Sequence, residues 1–328
     1  MKNKLKILLF VLLSIFLVSC EKDLSMDKLE EKMAEQINDL ESYKLDAQME
    51  IKKNDGSIVY DVTTYYLKPD FYKVILKNKE DNKIQAIVKN ETGTYVISPT
   101  LNKSFKFKSD WPINSSNGFV LQSIIKDMMN DQDKVLTIED DSYVIENKIR
   151  HNTNSKWESQ KVIVNKKTLL PTNVLIQDSN KNVVVSILFK NIDLSTSLKK
   201  TDFDVDNTND VLKLELGEGE VVFEDRKLKE PTYLPEQAEL KNKLEEEDTS
   251  ILYYEGNDIF TIVQEFIEPS EVLSSNRIYG DVVFLDKTIA ALTTNSLTWY
   301  YNGIEYSIIS QTLSQEEMIK IANSFNQV

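Results

Sequence analysis

Few residues in this 328-residue chain are of the kinds that do covalent or metal chemistry. There is one cysteine, Cys20, and one histidine, His151. That excludes a disulfide framework and a Cys/His zinc site. A Ser-His-Asp triad would have to use His151, which lies in Arg150-His151-Asn152-Thr153-Asn154, a polar turn between strands. A solvated loop histidine is the better reading of that setting. The 53 acidic residues allow many carboxylate pairs, the arrangement glycosidases use, yet no spacing singles one out. Runs such as Glu245-Glu246-Glu247-Asp248 read as solvated loop. Asp202-Phe203-Asp204-Val205-Asp206-Asn207 begins like a calcium loop. Asn207 stands where such a loop needs glycine, and Lys213 where it needs glutamate. An acidic linker with two core-facing apolar residues fits it better. The glycines build neither GxGxxG nor GxxxxGK[ST], so no nucleotide loop is expected. The sequence therefore assigns no catalytic residue, no metal site and no cofactor.

The charge narrows the partners. Lys and Arg number 39 against 53 acids, a formal net charge of −14. Binding to nucleic acid relies on neutralising phosphates with basic side chains, so no nucleic-acid partner is expected.

Cys20 has a distinctive chemical context. Lys2, Lys4 and Lys6 make a basic start, and the 12 residues Ile7 to Val18 are nearly all apolar. That is too short to cross roughly 30 Å of hydrocarbon, which takes about 20 helical residues. It reads as a secretory signal peptide over 1–19. Leu17-Val18-Ser19-Cys20 then resembles a bacterial lipobox, whose cysteine takes a diacylglycerol and becomes the mature N-terminus. Small Ser19 suits a peptidase that needs a compact residue at its cut. Loss of residues 1–19 removes three lysines and takes the charge from −14 to −17. Two acyl chains suffice for stable anchoring. Cys20 is the expected lipidation site and residues 20–25 the lipidated tether. The expected location is the outer face of the cytoplasmic membrane.

The elements that position the rest follow from hydrophobic period. Met26, Leu29, Met33, Ile37 and Leu40 recur at helical spacing and predict an amphipathic helix over 26–41. Alternating strands come next. Leu45, Ala47, Met49 and Ile51 share one face, and Asn54-Asp55-Gly56 is a strong hairpin signal. Val59–Leu67 is β-branched and aromatic, with further strands at Phe71–Leu76, Ile84–Val88, Thr94–Ser98 and Ser104–Phe107. After Trp111-Pro112, Ser115, Ser116 and Asn117 offer N-caps to a helix over 117–130. Strands resume at Val135–Ile138, Ser142–Lys148, Lys161–Val164, Val174–Gln177 and Val183–Phe189. Residues 26–205 thus form one domain, an antiparallel meander that must curl and whose concave side a helix can cover. Residues 206–232 read as a linker. Residues 233–328 read as a small α+β domain with strands at Ile251–Tyr254, Ile259–Phe266, Val282–Phe284, Ile289–Thr293, Leu297–Tyr301 and Glu305–Ser310. Its last helix opens on a capping box, Ser314 with Glu317, and buries Met318, Ile321, Ala322 and Phe325. The fold class is mainly β with α (α+β).

Met49, Ile51, Tyr65, Leu121, Ile125 and Met128 are the expected lining of an apolar cavity under the second helix. Tyr60, Tyr66, Phe71 and Tyr72 can join them, although strand aromatics more often make core or cross-strand pairs. Such a cavity would hold a lipid by burying methylenes at about 0.8 kcal/mol each.

The order of these features resembles a known family. The lipobox and first helix are followed by Tyr65-Tyr66-Leu67-Lys68-Pro69-Asp70-Phe71-Tyr72-Lys73. Tyr95-Val96-Ile97-Ser98-Pro99-Thr100-Leu101-Asn102-Lys103-Ser104-Phe105, Trp111-Pro112 and the Leu121–Met129 helix come after. Over about residues 22–205 this resembles the LolA-like lipoproteins of spore-forming Firmicutes, including GerS-like germination lipoproteins. Leu297-Thr298-Trp299-Tyr300-Tyr301-Asn302-Gly303 and the final helix look like a small domain often appended to them. The two-part layout is also similar to RseB-type periplasmic regulators. The resemblance implies an antiparallel half-barrel around an apolar cavity with covering helices, and no catalytic residues. It implies a role in the spore envelope, cortex or germination, in the forespore or mother-cell envelope, beside an amidase-like envelope partner. LolA carriers are soluble, whereas Cys20 would tether this chain.

The expectation is a non-catalytic, membrane-anchored binding and regulatory module that holds a protein partner or an acyl chain. A lipoprotein or lipid carrier, a structural envelope component and a cell-wall hydrolase using paired carboxylates are the alternatives.

Overall fold

The computed structural model describes residues 23–53, 56–108, 111–112, 116–149, 157–217, 223 and 226–325. The signal peptide 1–19, Cys20 and His151 lie outside the described residues.

Alternation of apolar and polar residues builds a first run of long strands. They are β1 (Ser42–Lys53), β2 (Gly56–Leu67), β3 (Phe71–Asn78), β4 (Ile84–Asn90), β5 (Gly93–Ser98) and β6 (Lys103–Phe107). β1 and β2 bury every second side chain along most of their length, the signature of a sheet with one face in a core. Lys53 pairs with Gly56, so the expected hairpin forms with a two-residue connection at 54 and 55, and Gly56 is already the first residue of β2. A second run follows: β7 (Val135–Ile138), β8 (Ser142–Lys148), β9 (Ser159–Asn165), β10 (Pro171–Gln177) and β11 (Val183–Asp193). β11 returns to pair with β1, and the eleven strands make one open sheet in the order β6-β5-β4-β3-β2-β1-β11-β10-β9-β8-β7.

This sheet curves into a trough. Two helices lie in its hollow: α1 (Met26–Asn38) and α2 (Leu121–Asn130). α1 buries Leu29, Met33, Ala34 and Ile37 at helical spacing. α2 begins at Leu121, later than expected, and Ser116 and Asn117 do not cap it; Ser115 lies outside the described residues. Asn117 instead accepts from the Trp111 indole at 3.3 Å and donates its backbone N–H to Ser123 Oγ at 2.8 Å. These bonds fix the chain that leads into the helix.

The register gives the trough two ends. At the lower end lie Ser42, Leu67 and the β7–β8 and β9–β10 turns. At the upper end lie the β1–β2 hairpin, the β3–β4 and β5–β6 turns and the β10–β11 turn.

The segment 206–232, expected as a linker, contains a helix in its first half: α3 (Val205–Leu216). Leu212 of α3 and Phe203 before it are fully buried with Phe71, Ile84, Ala86, Val88 and Ile97 on the outer face of the trough. The apolar residues of β4 alternate between this cluster and the hollow, so the sheet is covered on both sides there. Asp202 accepts from the Lys199 backbone N–H at 2.7 Å, a turn-capping role and not an ion site.

A second open sheet follows, in the order β12-β13-β14-β19-β18-β17-β16. Its strands are β12 (Glu239–Glu245), β13 (Thr249–Glu255), β14 (Phe260–Phe266), β16 (Asp281–Phe284), β17 (Ile289–Leu292), β18 (Ser296–Tyr301) and β19 (Ile304–Ser310). Helix α4 (Gln315–Ser324) covers one face, with Ser314 Oγ accepting from the Glu317 N–H at 3.1 Å. One strand leaves this sheet. β15 (Ser274–Ile278) runs parallel to β6 and extends the first sheet to twelve strands.

Candidate functional site

The apolar cavity expected under the second helix corresponds to the hollow of the trough. The structure shows how it is filled. Tyr43 near the lower end of β1 is fully buried; its hydroxyl donates to Gln122 Oε1 at 2.9 Å and accepts from the Leu121 N–H at 3.3 Å. Burial pushes the Tyr43 phenol well above its ordinary pKa, so it stays a neutral donor and ties α2 to the sheet. Thr64 Oγ1 donates to the Phe119 carbonyl at 3.0 Å and fixes the approach to α2. α1 closes the lower mouth. Glu30 pairs with Lys134 at 2.7 Å, Asp23 pairs with Lys166 at 2.7 Å, and the Leu24 N–H donates to the Tyr143 hydroxyl at 2.9 Å.

The second sheet closes the upper mouth. Tyr300 stacks on Phe105 with ring centroids 3.9 Å apart, and Phe284 meets Phe119 edge-on at 5.5 Å. Val282, Ile289 and Ala291 enter the same core as the trough. Polar contacts rim this apolar centre. Lys53 pairs with Asp286 at 3.0 Å, Tyr60 donates to the Asp286 carbonyl at 2.8 Å, and Gln85 donates to Thr288 at 3.1 Å. Asn102 donates to the Ser270 carbonyl at 2.8 Å and brings in the chain that becomes β15.

Among the described residues, the space left beneath Phe119 and Phe284 is small. A cavity of about 30 Å³ is lined by Met49, Ile51, Phe119, Trp157, Ile187 and Phe284, among others. That is roughly a fifth of the ~150 Å³ hole that holds a benzene in an engineered protein core. The expected lining residues therefore divide. Met49 and Ile51 do line this cavity. Leu121, Ile125 and Met128 are packed into the core itself, because α2 lies down in the hollow instead of bridging it. Tyr65 faces the other way. Alternation along β2 turns Tyr60 and Tyr66 inward and Tyr65 outward, where the Lys73 ammonium lies 4.7 Å from its ring centre. Burial lowers the Lys73 pKa, while its Nζ donates to the Asp202 carbonyl at 2.7 Å. Phe71 is on that outer face too; Tyr60, Tyr66 and Tyr72 are in the inner core.

Two further hollows lie at the junction of the sheets. A partly open one of about 50 Å³ is lined by Tyr60, Asn78, Lys83, Lys287, Thr288 and Tyr301 among others. An open polar groove of about 630 Å³ runs between β15 and the second sheet, past Arg277, Thr298, Tyr300 and Glu305. Burial raises the Glu305 pKa, against the opposing pull of a Tyr300 hydrogen bond. Among the described residues, no group of three or more His, Cys, Asp or Glu side chains is placed to hold a metal ion.

Sequence reasoning missed Phe284, Tyr300 and β17 as parts of the trough. The signal was present. Ile289-Ala290-Ala291-Leu292 has no polar alternation, and all four residues are buried. Trp299 turns into the second core and Tyr300 toward the first. A strand that is apolar on both faces is buried on both faces.

The arrangement defines a class: a curved antiparallel sheet with helices in its hollow and a second sheet across its upper mouth. Residues 2–203 match the family described as sporulation protein YdcC-like, and residues 228–325 match a domain of unknown function, DUF4367. The sporulation protein YdcC of Bacillus subtilis (strain 168) is 33% identical over 325 residues, covering 97% of this chain and 95% of the relative. The chain belongs to the YdcC-like family of sporulation proteins. Solved structures with some likeness include the Pseudomonas aeruginosa MucA/MucB complex (TM-score 0.34, 11% identity, 91% of this chain and 97% of that one). A LolA superfamily protein from Nitrosomonas europaea is similar over 56% of this chain and all of its own (TM-score 0.33, 12% identity).

Proposed function

We propose that this chain is a lipid-anchored sporulation protein that works outside the cytoplasmic membrane by holding a partner protein, without turning over a substrate. Membership of a sporulation family gives the setting. The lipobox Leu17-Val18-Ser19-Cys20, with its cysteine the only one in the chain, supports the anchor. The observation that carries the choice of partner is the filled hollow. A space of about 30 Å³ has no room for an acyl chain, so the surface is left to do the binding. The partner is an envelope protein, amidase-like on the family resemblance, and the role belongs to the spore envelope or to germination.

Incorporation of a labelled fatty acid by the wild type and by Cys20→Ala tests the anchor. The account expects label in the wild type and none in the variant. Label retained by Cys20→Ala, or absent from both, contradicts it.

A further inference from the structure

The way the chain enters the fold fixes more than the fact of an anchor. Asp23 is the first described residue and Leu24 follows it. Both are tied to the lower end of the trough. Asp23 pairs with Lys166 of the β9–β10 turn at 2.7 Å, and Leu24 donates to Tyr143 at the start of β8 at 2.9 Å. Cys20 precedes Asp23 by three residues, a reach of at most about 11 Å even fully extended. A diacylglycerol on Cys20 can therefore enter the bilayer only beside this end. The reach is shorter than the trough itself. β1 alone has 12 residues, which at about 3.3 Å each makes roughly 40 Å from the lower to the upper end.

The second sheet docks at the upper end. Lys53, the last residue of β1, pairs with Asp286, and the β3–β4 and β5–β6 turns carry Lys83 against Tyr301 and Asn102 against Ser270. Across the sheet the separation is also large. The anchor exits by β8 and β9, near one edge, whereas β15 joins at the other edge beyond β6.

We infer that the protein stands on the membrane by the lower end of its trough and holds the second sheet away from the bilayer by about the length of β1, ~40 Å. This rests on acylation of Cys20. The partner surface at the lower end is a lipid head-group layer. It meets the exposed turns at Glu139–Asp141 and Lys167–Thr168 and the polar outer side of α1, including Lys28 and Lys32. All of these are hydrophilic, so they lie against the head groups and do not insert. The upper mouth and the groove along β15 then face away from the membrane.

The single cysteine makes a direct test available, because an acylated Cys20 thioether does not react with maleimide. Lys167→Cys at the β9–β10 turn, Asn180→Cys at the β10–β11 turn and Glu247→Cys beyond β12 are exposed positions. Lys167 and Asn180 lie at opposite ends of the same strand, β10. Each full-length variant is purified from the membrane, labelled with a fluorophore and placed in phosphatidylglycerol–phosphatidylcholine vesicles whose head groups carry an energy acceptor. The inference expects strong transfer from position 167 and severalfold weaker transfer from 180 and 247. Equal transfer from all three, or stronger transfer from 180 or 247 than from 167, overturns it. Flotation of the unsubstituted protein separates the two failures. If it does not float with vesicles and its Cys20 takes the maleimide, the anchor itself is wrong and the orientation falls with it.

Discussion

The two mouths of the trough are closed by different chemistry. The lower mouth is closed by α1, whose Leu29, Met33 and Ile37 are packed into the same core as the sheet, with ion pairs only at its rim. The upper mouth is closed by a separate sheet. It too sends Val282, Ile289 and Ala291 into that core, with Tyr300 on Phe105 and Phe284 on Phe119 beside them, but an ion pair and several polar bonds surround these contacts. The lower closure is therefore part of the fold, and opening it means unfolding. The upper closure has the mixed composition of an interface between domains, the kind that moves in response to a partner. The difference places the stable end of the molecule where Asp23 and Leu24 enter the fold and the responsive end away from it.

Substitutions can break that comparison. The largest effect is expected at the lower mouth. Met33→Ala removes a side chain that is 1% exposed and leaves a cavity, costing about 2–5 kcal/mol. Chemical denaturation of the whole protein reads it as a lower midpoint, and hydrogen exchange should quicken throughout the first sheet.

A smaller effect is expected at the upper mouth. Tyr300→Leu keeps an apolar side chain and loses the stacked pair, worth about 0.5–1.5 kcal/mol beyond buried area. Exchange should quicken at β15, β6 and β18 and stay unchanged in α1. If α1 responds as strongly as β18, the two closures are one unit and the comparison fails.

The smallest effect is a pH dependence at the same rim. Burial holds the Glu305 pKa above its usual value. A carboxyl whose folded pKa is raised binds its proton more tightly when folded. Its stabilising contribution is full below the ordinary Glu pKa, about 4.3, and is lost as pH rises through the folded pKa. Glu305→Gln cannot ionise and should show a shallower loss of stability over that range. Melting temperatures of the two proteins from pH 4 to pH 7 check this; parallel curves would show that the buried carboxyl has no such role.

Much of the first sheet was legible in the sequence, because strands such as β1 and β2 have one buried and one half-exposed face and so alternate cleanly. Lys53 pairing with Gly56 closes the hairpin that the Asn54-Asp55-Gly56 signal predicts. The helix over Met26–Asn38 was legible from its stripe. What was not legible is what lies between distant segments. α3 has a weak pattern, with Leu214 78% exposed and Asn209 1% exposed, so its sequence looks like an acidic linker. β15, Ser-Ser-Asn-Arg-Ile, has no strand pattern of its own and forms because β6 offers an open edge. The expected open cavity failed for the same reason. Met49 and Ile51 do look inward, but no local signal shows that Phe284 and Tyr300, more than two hundred residues on, will come to cover that hollow.

The central claim is that the protein seals its own hollow and binds a protein by its surface. Native mass spectrometry of the protein, gently extracted from the membranes of sporulating cells, tests it most directly. The account predicts the mass of the covalently acylated chain, carrying a second protein and no further lipid. A chain that retains a non-covalent acyl lipid through purification, and loses it on Phe284→Ala or Phe119→Ala, would contradict it.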